Sequence, residues 1–484
     1  MWNANKRIFY FSLLILLFGV SCYSFADAEV QFPIKERAEL EKILASVDLR
    51  LTDITIYQLG VNINIKPDLD GGQTQFETPE KILKIRNFNE EVLINKNSEV
   101  IGLGLHGNFK KIAPLNGLPH LRWVRLDGDL TELTGLSGLA HLEEIVVSSN
   151  RIKHIEDLTL PKLRYFDLYR NNIEHLGFLA KLSALEVLNL VRNNISSITP
   201  LYNLSFLKVL KISNNKLENV VIPSSMVNLT LLEAAGRTLS SVRFEALPSL
   251  NVLLLNNQPI KSMKGLGLLS NLAELSITGA QLEELYVGNL KQLKKLSFSS
   301  SKLTSLAKLR ALNTLTNLES LSVYKSSITR IENVNKLTNL DHLNLSENDI
   351  EIIDSITGLV KLTSLNLSRN KLKKIQGLDH LKKLTLLDLS NNPIEVFEGV
   401  DSRMLDKVIL SDTKIASIKG FSGFPVLGAV ILKNTNIRNL EGYEEYLTRR
   451  DSSLVFFLSG NGLNYKEQGA ILTQLLKYNV DYIL

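Results

Sequence analysis

One apolar pattern repeats along most of the chain, and it constrains the fold more than any other feature of the sequence. From about residue 99 the spacing Leu-x-x-Leu-x-Leu-x-x-Asn-x-Ile/Leu recurs, most clearly at residues 185–195, 340–350 and 362–372. Successive repeats are 21 or 22 residues long, except for steps of 25 and 26. A unit of this length, copied so often, predicts a solenoid in which each turn contacts its neighbours. Registered on the third leucine or its apolar substitute, seventeen repeats lie at positions 105, 126, 147, 168, 190, 212, 234, 255, 277, 298, 323, 345, 367, 389, 410, 432 and 458.

The alternation inside each repeat predicts a short strand, because successive residues of a strand point to opposite faces. The two leucines of Leu-x-Leu therefore point to one side, which a single turn cannot bury alone. Neighbouring turns stacked about 4.8 Å apart would join these strands into a continuous parallel sheet over a shared core. With 21–22 residues per repeat, the return arm has room for turns or a 3₁₀ segment and not for a full α-helix. The sequence thus predicts a curved parallel β-sheet on a concave face, with turns and 3₁₀ segments on the convex face.

A polar column follows the strand in each repeat, three residues after the registered position. The chain must bend there, and an asparagine amide offers both a donor and an acceptor to buried backbone groups that no strand pairs. Asparagine occupies this column in nine repeats, at positions 108, 150, 171, 193, 215, 348, 370, 392 and 461. Elsewhere the column holds the partial substitutes Ser301, Ser326, Thr413 and Thr435, and the weaker Asp129, Arg237, Gln258 and Ala280. Three of the weak positions fall between residues 234 and 280, where we expect local irregularity.

The repeat resembles the short, 22-residue class of leucine-rich repeats found in bacterial internalins and in a regulatory subunit of protein phosphatase 1. The resemblance covers roughly residues 99–463 and rests on the pattern described above. It is specific for the fold and much less specific for function, because one fold hosts many functions. The internalin branch implies a concave face that grips a protein ligand, whereas the phosphatase branch implies an intracellular regulator.

The N-terminus has the composition of an export signal, which argues against the intracellular role. Lys6 and Arg7 precede an uncharged apolar run over residues 8–20. This run of 13 residues is too short for a comfortable transmembrane helix and is typical of a signal-peptide core.

Two cleavage sites compete at the end of this signal. Cleavage after Ser24-Phe25-Ala26 would make residues 1–26 the signal peptide and release a soluble protein. Residues 18–22 instead resemble a bacterial lipobox, although Gly19 stands where a leucine is usual. Cleavage there would remove residues 1–21 and leave Cys22 to be acylated. Because Cys22 is the only cysteine of the chain, its position favours the lipoprotein.

Both ends of a solenoid need a cap that covers the exposed core. Residues 34–47 carry apolar side chains at a mostly helical spacing, residues 61–65 alternate as in a strand, and residues 78–80 resemble a helix start. Residues 27–98 are therefore predicted to form an α+β N-terminal cap, followed by the solenoid over residues 99–463. Residues 464–484 are predicted to form a C-terminal cap helix, because Ile471-Leu472 and Leu475-Leu476 share one helical face.

The sequence carries no group of residues that points to catalysis or to a cofactor. It contains no nucleophile elbow, phosphate-binding loop or cysteine–histidine pair. His120 and His141 share one repeat position, as do His154 and His175, but we expect no cysteine or carboxylate to complete a metal site with them. Glutamate pairs such as Glu143-Glu144 are expected to be solvated. We therefore predict a non-enzymatic protein with no catalytic residue, metal or cofactor.

Aromatic and arginine side chains concentrate on the outward-facing strand positions of repeats two to five. Outward positions elsewhere are mostly small or polar, so this group is distinctive. Such residues dominate protein-binding hot spots, and we predict a ligand with an acidic, partly apolar surface. Arg125 and Asp167 are expected two strands apart, with Val146 between them, and both free for the ligand. The predicted site comprises Trp123, Arg125, Tyr165, Asp167, Tyr169, Arg170, Val187 and Arg192, and a weaker second patch comprises Tyr324, Lys325, His342 and Asn344.

Composition and charge agree with a folded binding protein. Hydrophobic residues make up 44% of the chain and charged residues 22%, which excludes disorder on compositional grounds. The formal charge is +5, and removal of Lys6 and Arg7 leaves 5 − 2 = +3, too little to indicate nucleic-acid binding. We predict an exported, monomeric protein-binding module, adhesin-like and held to the bacterial envelope by a lipid anchor. The alternative is a structural or scaffolding protein of the envelope, periplasmic or secreted.

Overall fold

The computed structural model describes residues 34–47, 54–57, 81–85, 91–94, 99–354, 356–417, 419–421, 424–439, 454–477 and 481–483. The predicted signal peptide, including Cys22, and the predicted strand at residues 61–65 lie outside the described residues. The chain divides into two compact units, Met1–Leu217 and Glu218–Leu484.

The first unit begins with a helix and an antiparallel sheet and continues as a stack of parallel strands. Its elements are helix α1 (Ile34–Ala45) and strands β1 (Ile54–Tyr57), β2 (Lys81–Ile85), β3 (Glu91–Ile94), β4 (Val100–His106), β5 (Trp123–Asp127), β6 (Glu132–Leu133), β7 (Glu144–Val146), β8 (His154–Ile155), β9 (Tyr165–Asp167), β10 (Val187–Asn189) and β11 (Val209–Lys211), with 3₁₀ segments at Gly177–Leu179 and Thr199–Leu201. Strands β1 to β4 pair antiparallel in sequence order. From β4 the order β4–β5–β7–β9–β10–β11 is parallel throughout, and β6 pairs with β8 on the return side.

The second unit is a longer stack of parallel strands. Its strands are β12 (Asn219–Ile222), β13 (Leu231–Glu233), β14 (Ser241–Phe244), β15 (Val252–Leu255), β16 (Ser262–Lys264), β17 (Glu274–Ala280), β18 (Leu285–Tyr286), β19 (Lys295–Ser300), β20 (Leu309–Arg310), β21 (Ser320–Val323), β22 (His342–Asn344), β23 (Ser364–Asn366), β24 (Leu386–Asp388), β25 (Lys407–Ile409), β26 (Ala429–Ile431), β27 (Val455–Phe457) and β28 (Asp481–Ile483). Helix α2 spans Tyr465–Lys477, and 3₁₀ segments lie at Leu266–Leu268, Leu306–Lys308, Leu312–Thr314 and Lys419–Phe421. The main sheet runs β13–β15–β17–β19 and then β21 to β28 in order. Two small parallel sheets, β12–β14–β16 and β18–β20, line the return side.

The predicted repeat register is confirmed. All seventeen registered residues are buried, and each repeat contributes one strand to a parallel stack. Within the described residues the only α-helices are α1 and α2, before the first repeat and after the last. The expected irregularity between residues 234 and 280 is present as a register shift after Ile277 in the pairing of β17 with β19. The fold is therefore the predicted leucine-rich-repeat solenoid with caps.

The asparagine column connects each repeat to the one before it. Asn193 is representative: its Oδ1 accepts the backbone N–H of Ile173 at 3.0 Å, and its Nδ2 donates to the carbonyls of Leu168 and Leu190. Asn108 departs from the prediction, because it is exposed. It belongs to the first repeat, whose preceding strand β3 runs antiparallel and provides no matching turn for the amide to reach.

Two substitutes in the column also differ from prediction. Ser301 is exposed, and the neighbouring Ser300 is buried instead, with its hydroxyl donating to Leu282 O at 2.7 Å. Gln258, predicted to be a weak position, makes the asparagine contacts with a longer side chain. Its Oε1 accepts the backbone N–H groups of Thr238 and Leu239, and its Nε2 donates to Ala234 O.

The caps cover the two ends by different means. Helix α1 buries Leu40, Ile43 and Leu44 completely. The expected helix from residues 78–80 was wrong, because Lys81–Ile85 is strand β2, held by antiparallel partners on both sides. At the other end, Asn464 and Glu467 form a reciprocal capping box that starts α2, each side chain bonding the other's backbone N–H. Strand β28 follows that helix and pairs with β27, an element that the sequence analysis did not predict.

Candidate protein-binding face

The predicted binding residues lie on three strands of the first unit and on the turns after two of them. Trp123 and Arg125 are on β5, Tyr165 and Asp167 on β9, and Val187 on β10. Along β5, Val124 and Leu126 are buried and the residues between them are not, so the predicted outward positions do face outward. Tyr165 pairs in register with Val187, whereas a residue of β7 lies between Trp123 and Tyr165. The structure therefore brings Tyr165 and Val187 together and keeps Trp123 about 10 Å from Tyr165.

Arg125 and Asp167 are not free for a ligand, contrary to the prediction. Val146 does lie between them, as expected. However, Arg125 Nε and Nη2 both lie 2.8 Å from Asp127 Oδ2. Asp167 accepts the Tyr169 backbone N–H at 2.8 Å and the Asn189 amide at 3.2 Å. The prediction overlooked Asp127, two residues after Arg125, and Asn189, one strand away from Asp167. Strand geometry places each of these partners on the same face as the residue that it contacts.

The Asp167 carboxylate and the Tyr165 hydroxyl share a partly desolvated site. Burial raises the pKa of Asp167, although hydrogen bonds from Tyr169 and Asn189 oppose that effect. Burial also raises the pKa of Tyr165, and the negative charges of Asp167 and Glu144 raise it further. Tyr165 therefore stays protonated at neutral pH. Glu144 is only 7% exposed, so the expectation that it is a solvated residue was wrong.

Two arginines border this face at the turns that follow β9 and β10. Arg170 and Arg192 are exposed, and both adopt left-handed backbone conformations, with φ of 54° and 59°. The guanidinium carbon of Arg192 lies 5.8 Å from the centre of the Tyr169 ring, a cation–π distance. Tyr169 itself is half-buried, so the ring and the guanidinium present one combined surface beside the strands.

Three residues that the sequence prediction left out belong to the same face. Asn189 and Lys211 continue the row of Arg125, Val146 and Asp167 onto β10 and β11. Glu144 fills the position between Trp123 and Tyr165. The repeat register alone could have placed all three, since they lie one or three residues before a registered position. The prediction selected residues by type and so missed them. Glu144, Asp167 and Lys211 together make the face mixed in charge.

His120 and His141 lie outside the strands of this face, and His120 lies beside the N-terminal cap. The rings of His120 and His141 stack with their centres 6.4 Å apart, as their shared repeat position implies. His120 Nε2 lies 3.4 Å from Glu99 Oε1 and 3.9 Å from Glu36 Oε1, so two carboxylates lie beside one of these histidines. Even so, among the residues that the structure describes, no group of three or more histidine, cysteine, aspartate or glutamate side chains is arranged to hold a metal ion.

Comparison with known proteins agrees with this architecture. The family model of the leucine rich repeat matches residues 140–195, 316–372 and 353–394. The leucine-rich-repeat protein LIC12759 of Leptospira interrogans superposes with a TM-score of 0.55 at 21% identity, over 78% of this chain and 93% of that one. A chain of the Toll–Spatzle complex of Drosophila gives a TM-score of 0.55 at 19% identity, over 72% of this chain and 52% of that one. The predicted leucine-rich-repeat resemblance is thereby confirmed at the level of the fold.

A further solved structure, the functional domain of InlJ from Listeria monocytogenes, has a TM-score of 0.49 at 21% identity. The match covers 68% of this chain, which spans 66% of the length of that domain. Among curated proteins, none matches this sequence. In the described ranges, the protein has no helix with the length and apolar character needed to cross a membrane.

Proposed function

We propose that this chain is an exported, non-enzymatic protein-binding module whose ligand occupies the strand face of the first unit. The observation that carries the proposal is the placement of Trp123, Tyr165 and Tyr169, three half-exposed aromatic rings at outward positions beside the exposed arginines. Aromatic and arginine side chains contribute most of the binding energy at protein interfaces. The fold supports this reading, since leucine-rich-repeat solenoids typically serve as interaction scaffolds.

The groups left for a ligand define its chemistry. Arg125 and Asp167 are occupied by intramolecular partners and serve to orient the neighbouring side chains. The available surface then consists of the aromatic rings, the Val187 side chain and the guanidinium groups of Arg170 and Arg192. A partner with an apolar patch bordered by carboxylates complements it, because arginine pairs with carboxylates in a fixed two-pronged geometry.

A lipid anchor at Cys22 would place this module on the bacterial envelope. The support is the signal-like N-terminus and the lipobox-like position of the only cysteine of the chain. The bacterial lipid carries several acyl chains, and more than one chain is needed for stable membrane anchoring. The proposed location is therefore extracytoplasmic, with the solenoid held at the membrane surface as a monomer.

Photo-crosslinking followed by affinity measurement tests the proposed face. A benzoyl-phenylalanine introduced at Tyr169 in the producing cells should capture the partner, whereas the same group at Phe206 should not. Phe206 is a matched control, because it is an aromatic residue of the same unit that is 59% exposed and lies outside the strands. With the captured partner, Trp123→Ala and Tyr169→Ala should each weaken binding by about 2 kcal/mol. Equal crosslinking at both positions, or equal losses from Phe206→Ala, would refute the site.

A further inference from the structure

A shallow groove of about 240 Å³ crosses five adjacent strands of the second unit, β21 to β25. Five strands at about 4.8 Å spacing give the groove a length of about 19 Å. Its residues form two rows in register across the strands. The first row is Ser322, Asn344, Asn366, Asp388 and Ile409. The second row, two residues earlier on each strand, is Ser320, His342, Ser364 and Leu386, and Lys407 continues this row on β25 beyond the groove lining.

Three side chains of the first row are fixed by the backbone beside them. Asn344, Asn366 and Asp388 each accept, through Oδ1, the N–H of the residue two positions later. The donors are Ser346, Ser368 and Ser390, at 3.0, 2.9 and 3.0 Å. The hydroxyls of Ser368 and Ser390 also donate to the same Oδ1 atoms, both at 2.7 Å. With Oδ1 held in this way, the other polar atom of each side chain is directed away from the turn, towards the groove that these residues line.

These outward atoms form an ordered set without internal partners. In the first unit the equivalent atoms satisfy each other, because Asn189 Nδ2 donates to Asp167 Oδ2 at 3.2 Å. In the groove, Nδ2 of Asn344, Nδ2 of Asn366 and Oδ2 of Asp388 make no hydrogen bond to any residue that the structure describes. Successive strands therefore present an amide donor, a second amide donor and a carboxylate. Because their directions are already fixed, a ligand that matches them loses little further side-chain entropy from the protein on binding.

We propose that this groove binds an extended polypeptide segment that carries a lysine or arginine. Main-chain carbonyls of the segment accept hydrogen bonds from Asn344 and Asn366, and its cationic head group pairs with Oδ2 of Asp388. The apolar stem of the lysine or arginine packs on Leu386 and Ile409, which flank that carboxylate on the same strand and on the next one. This site is independent of the face proposed in the first unit and involves none of its residues.

The lining of the groove favours a peptide over a carbohydrate. None of the residues that line it is a phenylalanine, tyrosine or tryptophan, so it lacks the aromatic platform on which a sugar ring commonly packs. An extended peptide offers a carbonyl at every residue and so can match two amide donors on adjacent strands. The Asp388 carboxylate then selects a lysine or arginine as the next side chain of the peptide.

Peptide selection on the full chain supplies the probe. A phage-displayed library of random heptapeptides is selected on the purified protein, and the enriched sequence is synthesised for calorimetry. We expect enriched sequences to share a lysine or arginine at one position. Asp388→Asn keeps the Oδ1 contact with the backbone and should weaken that peptide about tenfold, the size of a lost charge-assisted hydrogen bond. Asn344→Asp and Asn366→Asp keep the Oδ1 contact but replace the outward amide donor by a charged oxygen that repels a main-chain carbonyl, and each should weaken the peptide about three- to tenfold.

A peptide variant and two protein controls make the result decisive. Replacing the peptide lysine or arginine by norleucine should weaken binding to the wild type and abolish the effect of Asp388→Asn. Glu395→Gln removes a charge from the exposed turn of the same repeat, and Lys407→Ala removes the cation of the second row. Neither should lower the affinity. Failure to enrich any sequence, an affinity insensitive to Asp388→Asn and Asn366→Asp, or displacement of the peptide by soluble oligosaccharides would overturn the proposal.

Discussion

Removing one amide from the asparagine column tests how the solenoid satisfies its buried backbone. Asn370 is 7% exposed, and its Oδ1 accepts the backbone N–H of Ile350 at 2.9 Å. Its Nδ2 donates to the carbonyls of Leu345 and Leu367 at 2.9 and 3.0 Å. Each of those carbonyls also accepts a second amide, from Asn348 and Asn392 respectively. Asn370→Ala therefore leaves the Ile350 N–H without a hydrogen-bond partner, and it leaves the carbonyls of Leu345 and Leu367 with one partner each.

The magnitude follows from this sharing. A buried donor without a partner costs about 1–3 kcal/mol, so Asn370→Ala should lower the free energy of unfolding by about 2 kcal/mol. Adding Asn348→Ala removes both amides from Leu345 O, which the single variants leave satisfied. The double variant should therefore lose about 0.5–3 kcal/mol more than the sum of the single variants. Asn348 and Asn392 share no carbonyl, so that pair should be additive within about 0.5 kcal/mol.

Urea unfolding followed by circular dichroism measures the wild type, the three single variants and the two double variants on one scale. The reasoning requires a non-additive Asn348/Asn370 pair beside an additive Asn348/Asn392 pair, with the same denaturant dependence for each variant. If both pairs are additive, the shared carbonyls contribute nothing and the column acts one repeat at a time. If Asn370→Ala leaves the midpoint unchanged, the column is not a buried hydrogen-bond network at all.

Four further outcomes are expected. Gln258→Ala should destabilise the protein by about 1–3 kcal/mol in urea unfolding, and Gln258→Asn should not restore it, because the shorter amide cannot make the same contacts. Burial raises the pKa of Glu36 above its ordinary 4.5, so the folded state binds that proton more tightly than the unfolded state does. The contribution of Glu36 to stability should therefore grow as the pH falls towards 4.5, and Glu36→Gln should remove that contribution from the pH dependence of the urea midpoint. A labelled fatty acid should mark the wild type and not Cys22→Ala, and a mature N-terminus at Asp27 would contradict acylation. Gly265 has φ of +77°, and an added Cβ would lie 2.0 Å from a backbone carbonyl, so Gly265→Ala should lower the melting temperature and cost more than about 1 kcal/mol.

The core of the fold could be predicted because its signal is local and is repeated seventeen times. Each registered residue needs only the alternation of its own strand to be assigned to the buried side. The asparagine column is different, since each amide depends on the repeat before it. Position 108 carries the expected asparagine three residues after a registered position. Its side chain is nevertheless exposed, because no parallel repeat precedes it. A prediction made one repeat at a time cannot detect that difference.

Contacts that join distant parts of the sequence were also beyond prediction. Glu36 accepts the Val100 N–H at 3.3 Å and faces His120, 84 residues further along the chain. Nothing in the local pattern of the cap helix indicates which repeat it contacts. Helix α1 was itself predictable from its apolar spacing, but its docking against the first repeats required the structure. The prediction that Arg125 is free was wrong for the opposite reason, because its partner is local. Asp127 lies only two residues away, and the strand period places both side chains on one face.

The order of residues along a row decides whether its polar atoms satisfy each other. In the first unit Asp167 precedes Asn189, so the amide donates back to a carboxylate on the preceding strand. In the groove of the second unit, Asn366 follows Asn344, and an amide that reaches back there meets another donor. The carboxylate of Asp388 comes last, and Ile409 on the next strand offers it nothing polar. Rows that contain the same kinds of residue can therefore differ: in one the polar side chains hydrogen-bond each other, and in another their polar atoms are left for a ligand. Once the register of a solenoid is known, this order can be read from sequence, and composition alone would not reveal it.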